Sequence, residues 1–324
     1  MTVVYVSDVL EGILEASAIR TTVRQHCRTI LHGVPSSCVD ELDNQLHYIA
    51  GKCMGYPAIW LVAEALELDG SNLIEALEDA SGPLFISLTT SITDDFLDGD
   101  DKMTPGHMML VYLMIFESLR RARWFAGDQE AIYLREVYPL IPGFMTEGKP
   151  PERPHSIERL EQNARAGERR IGAFHATIAN AMISNRLPPR RKDELVNLSK
   201  AFGDWCAYID DILDIEVDIC AGANATLPIV QLQKRHGRLA HALASRDVSS
   251  CREAITAEDF RNDLISTARR RLADLAGVAA DAGFTHLSRR MHHAAQRVEH
   301  AVWEKRLLID KARGASPFAN AIEA

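Results

Sequence analysis

Twice along this chain a small, apolar, helix-forming stretch runs directly into the pattern Asp-Asp-x-x-Asp. In the first, Phe85-Ile86-Ser87-Leu88-Thr89-Thr90-Ser91-Ile92-Thr93 leads into Asp94-Asp95-Phe96-Leu97-Asp98, with Asp100 and Asp101 close behind. In the second, Asp204-Trp205-Cys206-Ala207-Tyr208-Ile209 leads into Asp210-Asp211-Ile212-Leu213-Asp214, and Asp218 follows one turn on. Residues four apart share a helix face, so Asp94 with Asp98, and Asp210 with Asp214, set like charges side by side unless a cation lies between them. Carboxylate oxygens suit a hard divalent ion such as Mg²⁺, which keeps coordination positions open for phosphate oxygens. A single cluster of this kind reads as a solvated acidic helix end. Two with the same spacing, each after the same kind of apolar segment, point to two metal-binding walls facing each other across a helical bundle.

The rest of the chain agrees with a bundle. Long stretches rich in Ala, Leu, Glu and Arg follow helical periodicity, with few β-branched alternations, so the expected fold is all-α. Breaks are expected at residues 32–37, at Asp69-Gly70-Ser71-Asn72, at Ser81-Gly82-Pro83, at Thr104-Pro105-Gly106-His107 and at Arg186-Leu187-Pro188-Pro189-Arg190. Residues 139–155 hold five prolines and read as the longest internal loop. The two motifs lie on either side of that loop, so the halves must pack together, and residues 1–324 are expected to form one domain. Residues 1–20 read as an N-terminal helix or arm, and 314–324 as a fraying tail.

A net charge of −9 argues against a nucleic-acid surface. No apolar run approaches the length of about 18 residues that spans a membrane. The N-terminus carries Asp8, Glu11 and Glu15 but no basic residue before Arg20, unlike a signal or transit peptide, so a cytoplasmic location is expected. Six cysteines (Cys27, Cys38, Cys53, Cys206, Cys220 and Cys251) are scattered without a CxxC pair and read as reduced and mostly buried. His292-His293 with His300 lacks a carboxylate or cysteine at ligand spacing and is not expected to bind metal.

With these residues in view, the chain resembles the trans-isoprenyl diphosphate synthases and their class I terpene synthase relatives over residues 47–232. Ala50-Gly51-Lys52 through Glu64-Ala65-Leu66 is similar to the family's Gly-Gly-Lys-Arg helix start. Residues 94–101 and 209–218 are similar to its two aspartate-rich motifs, and Ala225-Thr226-Leu227-Pro228 to the Thr-Leu-Pro that follows the second. The resemblance implies a class I isoprenoid synthase bundle around a deep apolar cavity, with three Mg²⁺ ions and a diphosphate at its mouth, in a homodimer. It implies Asp94, Asp95, Asp98, Asp210, Asp211 and Asp214 as metal ligands.

The departures matter as much as the matches. Chain-elongating members hold isopentenyl diphosphate with arginines. Here Cys53 and Gly55 stand at two of those positions, and Lys102-Met103-Thr104 replaces an arginine pair. Arg169-Arg170-Ile171-Gly172-Ala173-Phe174 replaces a Lys-Thr pair, Cys206 replaces a glutamine, and Asn224 stands near an expected lysine. A second diphosphate would lack the cations that neutralise it. The machinery for one diphosphate survives, with Arg169, Arg170, Lys52, Lys305 and Arg306 as its cationic candidates. Catalysis would centre on Asp94, Asp95, Asp210 and Arg170.

The expected activity is therefore that of a Mg²⁺-dependent terpene cyclase acting on geranylgeranyl or farnesyl diphosphate, the cation being sheltered by aromatic faces. Phe85, Phe174, Trp205 and Tyr208 are the candidates, each with core packing as its plainer role. Ser87, Thr89, Thr90 and Ser91 leave room for a long chain, with Phe85 as a floor. A prenyltransferase using isopentenyl diphosphate or another acceptor is the alternative, and a silent partner of an active synthase is a third, disfavoured by intact aspartates in both motifs.

Overall fold

A computed structural model describes residues 6–31, 56–98, 105–121, 157–183, 186–221, 226–245 and 248–314. Among them every regular element is helical: α1 (Val6–Leu14), α2 (Ser17–Leu31), α3 (Tyr56–Leu66), α4 (Gly70–Asp98), α5 (Pro105–Arg120), α6 (Ile157–Ile183), α7 (Pro189–Ala221), α8 (Leu227–Gln233), α9 (Gly237–Ser245), α10 (Val248–Thr256), α11 (Glu258–Asp281) and α12 (Thr285–Gly314). No described helix is long and apolar enough to cross a membrane. The expected breaks at 32–37 and the loop at 139–155 lie outside the described residues.

The bundle is organised on the α6–α7 hairpin. A short turn at 186–188 joins two helices of 27 and 33 residues, and Pro189 opens the second, where its missing N–H goes unneeded. α6 also packs against α3, α4 and α8, while α7 reaches α1, α3, α10 and α11. The core is one continuous cluster from Val9 to Val302. At its centre Trp60, Phe202 and Trp205 stack, with ring centroids 5.6 and 5.4 Å apart, and tie α3 to α7. α11 ends in a Schellman turn at Gly283 (φ +80°), where Phe284 N–H reaches Ala279 O at 2.8 Å, and reverses into α12. The N-terminal segment is helical from Val6 onward. α12 holds α1 in place, with Arg290 and Arg297 donating to the Leu14 and Gly12 carbonyls that end α1.

The expected break at Ser81-Gly82-Pro83 does not occur: α4 runs through Pro83 as one helix of 29 residues. Packing overrides the local signal. Ala80, Ser81, Leu84 and Phe85 are all fully buried, and side chains take up carbonyls around the proline, Ser81 Oγ donating to Glu78 O (2.7 Å) and Ser118 Oγ to Gly82 O (3.2 Å).

Where α2, α4 and α5 meet, His26 is buried with Nδ1 3.7 Å from Glu78 Oε1, and Arg121 donates to the same carboxylate. Burial lowers the His26 pKa from its ordinary 6.5; Glu78 pulls it up, and Arg121 adds to the depression. A base whose pKa is lower in the folded state keeps its full contribution above the unfolded value and loses it as pH falls toward the folded one. Wild type is therefore expected to lose melting temperature relative to His26→Gln as pH drops below about 6.5. A difference between the two proteins that does not change with pH would contradict this.

Candidate metal and diphosphate site

The first motif forms the last turns of α4, and the second lies inside α7, upstream of its end at Ala221. Both helices pack on α6, which carries Arg169 and Arg170 near its middle. Two contacts set the levels of the three helices. Arg186 Nη1 donates to Met182 O and to Asp79 Oδ2, both at 2.8 Å, so Asp79 on α4 stands beside Met182 on α6. From there a rise of 1.5 Å per residue carries α4 about 22 Å to Asp94, and α6 about 19 Å to the arginine pair.

The second contact is a close crossing of α6 and α7. A Cβ on Gly203 would lie 2.6 Å from Gly172 Cα, and one on Gly172 would lie 2.5 Å from Lys200 O, so the backbones meet where only glycine fits. Asp210 and Asp214 follow Gly203 by seven and eleven residues, on the face that Gly203 presses against α6. Arg165 and Glu161 precede Gly172 by the same intervals on the antiparallel partner, which puts Arg165 and Asp210 each about 10 Å from the crossing along their own helices. Residues 165–170 and 210–214 thus lie on the same side of the α6–α7 crossing, and residues 94–98 end the other helix that packs on α6.

Asp210 and Asp211 are half-buried and Asp214 is exposed. Among the side chains described, no three His, Cys, Asp or Glu groups converge as a metal cage. An all-oxygen, solvent-reachable donor set of this kind fits Mg²⁺ rather than a structural metal, because Mg²⁺ keeps several waters and is typically held by one or two carboxylates together with substrate phosphates. The side chains of Asp94, Asp95, Asp98, Arg169 and Arg170 lie outside those described, as do those of Lys305 and Arg306 on α12; Lys52 is outside the described residues altogether.

Two cations escaped sequence analysis. Glu161 accepts from Arg165 (2.8 Å) and from Lys234, which follows α8, and both hold its carboxyl below the usual range, Lys234 most strongly. Lys234 arrives from the turn after α8, and no local pattern marks it; Arg165 shares a helix face with Arg169 at i+4, a signal that periodicity could have supplied.

The aromatic candidates divide. Trp205 is fully buried, stacked on Phe202 with its Nε1 donating to Ala268 O at 3.0 Å, and the ring of Tyr208 lies 4.5 Å below the guanidinium of Arg271. Both are engaged on the α11 side of α7. Phe85 is fully buried on α4, and Phe174 is half-buried on α6. Thr89, Thr90 and Thr93 donate to the carbonyls of Phe85, Ile86 and Thr89, so the small polar residues before the first motif satisfy their hydroxyls within the helix. Cys206, one turn before Asp210, is fully buried; burial pushes its thiol well above the usual range, and the charges of Asp210 and Asp204 push it further. The described residues outline a cleft of about 390 Å³ between α11 and α12, which contains no aspartate-motif residue.

In comparisons with protein-family models, curated proteins and solved structures, nothing matches this chain.

Proposed function

We propose that this protein is a Mg²⁺-dependent class I terpene synthase that ionises an allylic isoprenoid diphosphate, of farnesyl or geranylgeranyl length, and cyclises the resulting cation in the cytoplasm. The observation that supports the proposal is the recurrence of Asp-Asp-x-x-Asp at the end of α4 and within α7, two helices that both pack on the arginine-bearing α6. Asp94, Asp95, Asp98, Asp210, Asp211 and Asp214 would hold the Mg²⁺ ions. Bound there, Mg²⁺ neutralises charge on the leaving diphosphate.

The chain's own part is to position and shelter. Arg170, Arg169, Arg165 and Lys234 would supply donors to the diphosphate. The carbon–oxygen bond breaks heterolytically, its electron pair leaving with diphosphate, and a distal double bond of the same chain supplies the electrons that close a ring. Loss of a proton, or capture of water, completes the product. Phe85 and Phe174 remain the candidates for an apolar wall.

The prenyltransferase alternative rests on the same aspartates and differs in needing an acceptor. Incubation with geranyl, farnesyl, geranylgeranyl and geranylfarnesyl diphosphates, each with and without isopentenyl diphosphate, followed by mass spectrometry, separates the two. A cyclic hydrocarbon or alcohol from one diphosphate supports the cyclase. Longer diphosphates that form only with isopentenyl diphosphate reject it.

A second copy of the chain is the partner this reading implies, and α5 offers it a face. Met108, Met109, Tyr112, Phe116 and Leu119 expose 45 to 67% of their surface along one stripe of that helix. Tyr112→Glu with Phe116→Glu is expected to convert a dimer to a monomer in sedimentation velocity; a wild-type protein that sediments as a monomer would remove the homodimer from the account.

A further inference from the structure

We infer that the cleft between α11 and α12 binds a phosphate-bearing anion at a site independent of the aspartate motifs. Ala273 and Ala295 form its floor, and Arg269, Arg270, His292 and Gln296 stand around it in a volume of about 390 Å³. That volume is within the range of small-molecule sites and accommodates a diphosphate group with a substituent. Ala295 is buried and Ala273 half-buried, and Ala268, Ala276, Ala279 and Ala294 are buried along the same closely packed pair of helices.

The chemistry of the rim is one-sided. All four polar groups can donate hydrogen bonds, and no carboxylate lines the cleft. Arg271, the third member of the Arg269-Arg270-Arg271 run, turns the other way, onto Tyr208 and the Asp204 carbonyl, which leaves its two neighbours on the cleft side. Among the described residues Arg269 pairs with Glu299, at 3.5 Å, with both side chains about half exposed, a pair that holds the guanidinium weakly. Arg270, His292 and Gln296 have no hydrogen bond or ion pair among the described residues. Asp274 lies one turn beyond Arg270 without bridging to it. Two guanidinium groups over an alanine floor, in a chain of net charge −9, give a local cationic concavity whose planar forks match phosphate oxygens. The cleft is open, so charge rather than apolar burial would carry the affinity, and binding should weaken with salt.

The test titrates the full-length protein with sodium diphosphate in EDTA at low ionic strength, by calorimetry. Without a divalent cation the aspartate motifs repel the anion, so success or failure here is separate from that of the proposed function. In parallel, vesicles of phosphatidylcholine with and without phosphatidic acid distinguish a free phosphate from a lipid headgroup. Saturable binding of diphosphate is expected, weakened about tenfold or more by Arg269→Glu and by Arg270→Glu. Both side chains are exposed, so the variants should keep the wild-type circular dichroism spectrum. The inference is overturned if wild type binds neither diphosphate nor the phosphatidic acid vesicles, or if binding survives both charge reversals; binding of the vesicles alone, lost in both variants, supports the anion site with a lipid headgroup as its source.

Discussion

Asp94→Ala and Asp210→Ala, made singly, should each reduce turnover of an allylic diphosphate about a hundredfold or more, while the melting temperature of the metal-free protein stays the same or rises. The two halves of this result have one cause. Carboxylates four residues apart on a helix repel each other, and removing one relieves that repulsion in the absence of metal. On the proposed function, the same carboxylates act only when a cation and a diphosphate share the site. Wild type should therefore gain melting temperature from Mg²⁺ and diphosphate added together, because a ligand that binds only the folded state stabilises it by mass action, and each variant should lose most of that gain. Variants that unfold more readily without metal would show that the aspartates serve the fold; variants that keep both turnover and the thermal shift would remove them from the site.

Gly203→Ala should destabilise the protein by about 1 to 3 kcal/mol. Alanine is the better helix former by about 1 kcal/mol, so the sign depends on space. At Gly203 the added methyl would lie 2.6 Å from Gly172 Cα, a backbone atom that no rotamer change can move, and 2.9 Å from the ring of His175. Gly172→Ala meets Asp204 Oδ1 at 2.0 Å, which can swing aside, but also Lys200 O at 2.5 Å, which cannot. Gly277→Ala on α11 is the control. Nothing lies within 4 Å of its would-be methyl, so it should stabilise by about 0.5 to 1 kcal/mol. Urea denaturation measures all three. The account of the α6–α7 crossing fails if Gly203→Ala proves as stable as Gly277→Ala.

What could be read from the sequence was periodic, and what could not was tertiary. The apolar run into Asp210 reads as helix because its spacing repeats every three to four residues, and α7 indeed continues through the whole motif. Pro83 reads as a stop for an equally local reason, yet α4 passes through it because neighbouring helices bury that segment and hydroxyls take up nearby carbonyls. Trp205 and Tyr208 show the same limit on a smaller scale. Sequence puts them within two turns of Asp210, but only the position of α11 reveals that Ala268 and Arg271 already engage them. Lys234 was invisible because its link to Glu161 joins segments 73 residues apart. Gly172 and Gly203 each look like weak points in a helix when read singly, and their meaning emerges only as a pair in contact.

The central claim is that the aspartate motifs of α4 and α7 ionise an allylic diphosphate with the help of a divalent cation. Release of inorganic diphosphate from farnesyl and geranylgeranyl diphosphates, followed with the purified protein alone, tests it most directly. The account predicts release that requires Mg²⁺, stops on addition of EDTA, and needs no second substrate. Absence of release from every allylic diphosphate in the presence of Mg²⁺, or release that continues undiminished in EDTA, would contradict it.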